Sequence, residues 1–191
     1  MGINNPGQIQ SNSTVNNLTL TGTTTLPGSG SISSGGVLTL PAQPAFLAYQ
    51  SARVLNVTGN GTTYTVLFDS EVFDQSGSYN PATGIFTAPV TGRYHFDTNV
   101  ETLGYGGAHT YCLLELVASN RTARLVGTIY GAGAINTQVG GNQFDTGGSI
   151  LIDMDANDTA KITVAVAGST LTVAVDGAGT PRTYFSGNLV A

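Results

Sequence analysis

Apolar and polar residues alternate with a period of two along most of the chain after residue 44. The pattern is most regular over residues 93–103. Tyr94, Phe96, Thr98 and Val100 fall on one side, and Arg93, His95, Asp97, Asn99 and Glu101 on the other. That period puts one face of a strand in a core and the other in solvent. Residues 65–68, with a weak continuation through Val72 and Phe73, read as a strand, as do residues 111–117, 125–130, 149–154 and 184–190. Ile162, Val164 and Val166 alternate with Lys161, Thr163 and Ala165. After Ala167, Gly168 and Ser169 the alternation resumes with Leu171, Val173 and Val175, which reads as a β-hairpin. No segment keeps a 3.6-residue period for three turns. The pattern predicts an all-β chain of eight to ten antiparallel strands.

Residues 1–43 are different. They contain no charged side chain, and short pieces such as Leu18-Thr19-Leu20-Thr21 and Val37-Leu38-Thr39-Leu40 are separated by Gly/Ser clusters. With few large apolar residues this arm cannot build a core of its own. It reads as an extended arm of short strands that order against a neighbouring chain. The expected organisation is therefore an anchoring or trimerising arm, 1–43, and a head domain, 44–191.

Composition narrows the function. Charged residues are 9% of the 191, against about 25% in typical domains. The surface is accordingly one of Thr, Ser, Asn, Gln and Gly, and threonine suits a pleated sheet. A net charge of −5 with arginines scattered at 53, 93, 121, 124 and 182 argues against a nucleic-acid partner, which needs clustered cations. Cys112 is the single cysteine, so no internal disulfide forms, and its apolar neighbours make it a buried thiol. The first residues have neither the basic nor the apolar part of a signal peptide, and no stretch has the ~20 apolar residues of a membrane helix, so no membrane insertion is expected.

Residues 79–96 read YNPATGIFTAPVTGRYHF. Through Tyr79, Asn80-Pro81, Gly84, Phe86, Pro89, Gly92, Tyr94 and Phe96 this segment strongly resembles the globular head of the complement component 1q family, within the tumour-necrosis-factor-like jelly rolls. The opening Pro44-Ala45-Phe46-Leu47-Ala48 and the closing Tyr184-Phe185-Ser186-Gly187-Asn188-Leu189 resemble that family's first and last strands. The resemblance implies a ten-stranded antiparallel jelly-roll β-sandwich that associates as a homotrimer. Neither the signal peptide nor the collagen Gly-X-Y stalk of the animal members is expected from these residues. Its arm resembles, in composition, segments of phage fibres and virion appendages.

Candidate chemistry is sparse. No Gly-x-Ser-x-Gly elbow or Cys/His signature is present, His95 lies on a polar strand face and His109 in a loop, so no enzyme activity and no organic cofactor are expected. Asp153, Asp155 and Asp158 are weak Ca²⁺ candidates. The segment lacks the glycine and glutamate of an EF-hand loop and joins strands, not helices. Glycine-rich tips make Tyr105, Tyr130 and Asn142 candidate recognition contacts. The expected function is a trimeric virion structural protein, a capsid decoration or a fibre knob, anchored to capsid or tail proteins by residues 1–43 and exposed on the virion surface. The alternatives are a knob binding a host receptor or glycan, and a module of a bacterial cell or spore surface.

Overall fold

The computed structural model describes residues 24–25, 30–33, 35–129 and 143–190. The chain divides into two compact units, Met1–Ala42 and Gln43–Ala191. In the first, β1 (Thr24–Thr25), β2 (Ser31–Ile32) and β3 (Leu38–Thr39) form an antiparallel sheet in that order. Ser33 closes the turn before β3: its N–H donates to the Val37 carbonyl and its hydroxyl oxygen accepts from the Val37 N–H. Val37, Leu38 and Leu40 are exposed. The predicted piece at Leu18–Thr21 lies outside the described residues.

The second unit runs in chain order through β4 (Ala45–Tyr49), β5 (Ala52–Thr58), β6 (Thr63–Thr65), β7 (Ser70–Asp74), β8 (Tyr79–Asn80), β9 (Ile85–Thr87), β10 (Gly92–Leu103), β11 (Tyr111–Ala118), β12 (Thr122–Ile129), β13 (Phe144–Met154), β14 (Thr159–Ala167), β15 (Val173–Ala178) and β16 (Tyr184–Leu189). Every pairing is antiparallel. The first sheet has the order β5-β15-β10-β16-β4-β7, with β13 on the opposite side of β10 from β16. The second has the order β12-β11-β14-β9-β8, with β6 also paired to β14. The two sheets face each other as a jelly-roll sandwich. Short pieces such as β6, β8 and β9 raise the strand count above ten without changing this architecture.

The core is what the alternation predicts for β10: Tyr94, Phe96, Thr98 and Val100 are buried. Phe46 stacks on Tyr79 at 4.9 Å and on Phe86 at 5.2 Å, and Phe96 stacks on Phe185 at 5.5 Å. Leu114, Leu116, Ile162, Val164 and Val166 extend this aromatic centre between β11 and β14. Aromatic pairs of this kind add roughly 0.5–1.5 kcal/mol each beyond area burial.

Three expectations are corrected. Residues 65–68 are not one strand: β6 belongs to the second sheet and β7 to the first, and Val66–Phe68 cross between them. Val66 and Phe68 are buried all the same, and the Val66 N–H is satisfied by the Ile162 carbonyl at 3.0 Å. The predicted hairpin around Gly168 does not exist. β14 pairs in the second sheet and β15 in the first, so Gly168 and Ser169 turn a corner between layers. Both alternations point into the same core, which is why they look like hairpin partners. Finally, Glu101 is not on a solvated face but 1% exposed.

Candidate interaction surface

The motif residues hold the fold together. The turn between β8 and β9 is built by Asn80, whose side-chain Oδ1 accepts the Ala82 N–H and whose carbonyl accepts the Gly84 N–H. Gly84 has φ +70°, and a Cβ there would sit 2.6 Å from the Val66 carbonyl oxygen, so both its backbone and its surroundings require glycine. Pro81 sits half-buried within that turn. Tyr79 donates its hydroxyl to the Phe68 carbonyl and Tyr94 to the Val90 carbonyl, which lets both rings enter the core with their polar ends satisfied. Burial pushes both phenols up. Gly92 opens β10 opposite Met154, and Leu189 pairs with Tyr94.

The outward face of the first sheet is the unusual surface. Cross-strand rows place Ala45 beside Asn188, His95 and Leu151; Phe73 beside Leu47, Ser186, Asp97 and Ser149; and Tyr49 beside Tyr184 and Asn99. Phe73 is 46% exposed and Leu151 53%, while Leu47, Tyr49 and Tyr184 are half-buried. The charge of Asp97 is engaged within the face, because the Tyr184 hydroxyl donates to its Oδ1 at 2.5 Å. That bond, helped by burial, pushes the Tyr184 phenol up to about 12. The site search in the sequence missed this face. Its signal is the uninterrupted apolar run Ala45-Phe46-Leu47-Ala48-Tyr49, since a strand with one solvated face alternates.

One end of the same sheet is charged. Arg53 Nε lies 2.6 Å from Asp176 Oδ1, and Arg182 Nη1 lies 3.8 Å from Glu101 Oε1, too far for a hydrogen bond. Glu101 is held by its backbone, whose N–H donates to the Thr183 hydroxyl oxygen. Burial, then Asp145 and Asp176, push its carboxyl above the ordinary range, and Arg182 and Arg53 oppose them.

Asp153, Asp155 and Asp158 lie around the β13–β14 turn but do not converge as a cation cage. Asp158 accepts the Ser119 hydroxyl at 2.6 Å and the Asp155 N–H at 2.9 Å, which hold it below the usual carboxylate range. Asp153 pairs with Arg121 at 2.8 Å. Among the described residues no three His, Cys, Asp or Glu side chains are arranged to hold a metal ion. Asp158 is therefore a staple of the turn, and the calcium expectation finds no donor set here.

Tyr105 is not an exposed contact: it is 1% exposed, its ring meets His109 at 5.5 Å and Phe144 at 4.7 Å, and its hydroxyl lies 3.0 Å from the Thr102 hydroxyl. The loop after β10 folds back under the sandwich edge instead of projecting. His109 is also buried, with Nδ1 accepting the Gly106 N–H. Cys112 is buried as expected, and burial pushes its thiol up. Tyr130 and Asn142 lie outside the described residues.

The order of strands, the two facing antiparallel sheets and the aromatic centre define an antiparallel jelly-roll β-sandwich. The family model for the C1q domain matches residues 45–190, and the chain belongs to that family. Among solved structures it is similar to the globular domain of the zebrafish complement 1qA protein, with 16% identity over 78% of this chain and 98% of that one and a TM-score of 0.48. It is also similar to murine APRIL, with 9% identity, 78% and 99% covered and a TM-score of 0.49. The tumour necrosis factor Eiger from S. frugiperda shows 12% identity, 78% and 91% covered and a TM-score of 0.48. Domains of the C1q family typically form trimers and are generally non-enzymatic.

Proposed function

We propose that this chain is a non-catalytic structural subunit of a virion, assembled as a homotrimer through its C1q head and attached to a capsid or tail protein by residues 1–43. The observation that carries the trimer is the outward face of the first sheet. Leu47, Tyr49, Phe73, Leu151 and Tyr184 stand on this face among Asn188, His95, Ser186, Ser149 and Asn99, its one central acid is bonded to a phenol, and both sides of β4 are apolar. Such a face gains from burial against a second copy at about 25 cal/mol per Å² of apolar area. The virion setting is supported by composition: an arm without a charged side chain, and a head coated with Thr, Ser and Gly.

The test is the solution mass of the full-length protein by light scattering. A mass three times the 19.5 kDa chain supports the assembly, and a stable 19.5 kDa monomer at micromolar concentration would rule it out. Attachment is tested separately, by mixing purified particles with the full chain and with a chain lacking residues 1–43. Equal retention of both on particles would exclude the arm as anchor.

A further inference from the structure

Between the start of β10, the end of β13 and the turn joining β11 to β12 lies an open cavity of about 390 Å³. That is within the roughly 300–1,000 Å³ range of small-molecule sites. We propose that this cavity binds a neutral sugar residue, held between the Arg93 guanidinium, the Asp155 carboxylate and the Asn120 carbonyl.

The lining chemistry selects this ligand class. Arg93 is exposed and makes no ion pair among the described residues, so its donors face the cavity's solvent. Asp155 keeps acceptor capacity, because its side chain takes only a 3.5 Å contact from the Thr91 hydroxyl. Asn120 spends its Nδ2 on the Asp153 carbonyl at 3.1 Å and on Asp158 Oδ2 at 3.3 Å, which fixes the amide and leaves its Oδ1 open. Gly92 and Met154 supply the apolar part of the lining. Phosphate or sulfate would meet the charges of Asp153 and Asp155. An ammonium ligand would meet the unpaired Arg93. A metal ion lacks convergent ligands. A hydroxyl group both donates and accepts, so a neutral polyol satisfies carboxylate, guanidinium and amide together, while its C–H face lies on the apolar lining.

The site is preorganised, which lowers the entropy cost of binding. Asp158 ties the Asp155 backbone to Ser119 and Asn120, and Thr91 accepts the Ala156 N–H at 3.1 Å. The three segments that carry the polar groups are thus joined to one another before any ligand arrives. This inference does not depend on the assembly proposed above.

The experiment is saturation-transfer NMR on the full-length protein, with glucose, galactose, mannose and N-acetylglucosamine as neutral probes. N-acetylneuraminic acid and inorganic phosphate serve as anionic ones. At least one neutral sugar should bind with a Kd of about 1 mM, weakened about tenfold or more by Arg93→Ala and by Asp155→Asn. Solution mass and melting temperature are read for each variant. Arg93 lies on the outward sheet face, so Asp155→Asn decides the matter if Arg93→Ala alters assembly. Absence of transfer to every neutral sugar, equal transfer in Asp155→Asn, or preference for either anionic probe would overturn the proposal.

Discussion

Replacing Gly187 with alanine should strongly destabilise the head, by overpacking its aromatic centre. Gly187 lies in β16 between Phe46 of β4 and Phe96 of β10. A Cβ at this position would sit 2.6 Å from Phe96 Cδ1 and 2.7 Å from Phe46 Cε1. Neither ring has room to withdraw. Phe46 is stacked on Tyr79 and Phe86 and meets Phe185 edge-on at 5.0 Å, and Phe96 is held by Phe185 and by Phe86 at 5.3 Å. Overpacking a tight core costs about 1–3 kcal/mol, and clashes with two locked rings place this case near 3. For a domain of this size that is a fall in melting temperature of roughly 6–12 °C. The comparison is Gly107→Ala, the same chemical change where no heavy atom lies within 4 Å of the new methyl and φ is ordinary. It should leave stability unchanged or raise it by up to about 1 kcal/mol. Both variants are melted at one fixed protein concentration, since assembly makes melting concentration-dependent. If Gly187→Ala melts within a degree of Gly107→Ala while near-ultraviolet dichroism keeps its aromatic signal, the rigid-cluster argument is wrong.

Three further outcomes follow. Leu151→Asp, at a half-exposed position on the outward sheet face, should reduce the light-scattering mass to that of the 19.5 kDa chain with the melting of the isolated fold retained; an unchanged mass would remove that face from the assembly. Glu101 binds a proton more readily folded than unfolded, so its contribution to stability should rise as pH falls through its raised folded pKa and be complete below the ordinary 4.5. Glu101→Gln should erase that component, and identical pH slopes for the two proteins would refute it. Tyr184 should ionise near pH 12, so stability should fall between the ordinary pH of 10 and that value; Tyr184→Phe should remove this fall and the phenolate absorbance step near pH 12, and an unchanged step there would contradict the Asp97 bond.

How much of this was legible beforehand differs by kind of information. The inward set of β10 was readable because alternation reports facing, and the turn at Asn80 to Gly84 because its residue types serve one geometry. Which sheet a strand joins leaves no such mark. Val66 and Phe68 alternate like a strand although they cross between layers, and the matched runs on either side of Gly168 pack into one core from opposite sheets. Glu101 and Tyr105 show the other limit. A glutamate at an outward position reads as solvated, but here residues from β15 and β5 and the Arg182-Thr183 segment before β16 close over the end of the sheet. A tyrosine among glycines reads as a loop tip, but its ring is caught by Phe144, 39 residues away in sequence.

The low charge of the chain and the apolar outward face belong to one physical argument. A soluble monomer keeps such a face polar, because contiguous exposed apolar patches larger than a few hundred Å² invite association. In this head the first sheet carries its charges at its margins, Arg53, Asp176, Arg182 and Glu101 at one end and Arg93 with Asp153 at the other. Between them run Leu47, Tyr49, Tyr184 and Leu151, with Asp97 bonded to a phenol. Apart from Asp97, whose carboxylate accepts the Tyr184 hydroxyl, the charges sit at the rim, as they do around a buried interface core, where an unpaired ion would cost several kcal/mol. The same distribution makes the Leu151→Asp experiment decisive. A carboxylate at Leu151, on the strand β13 that flanks β10 beside His95, adds a repulsive charge to that face in every copy at once.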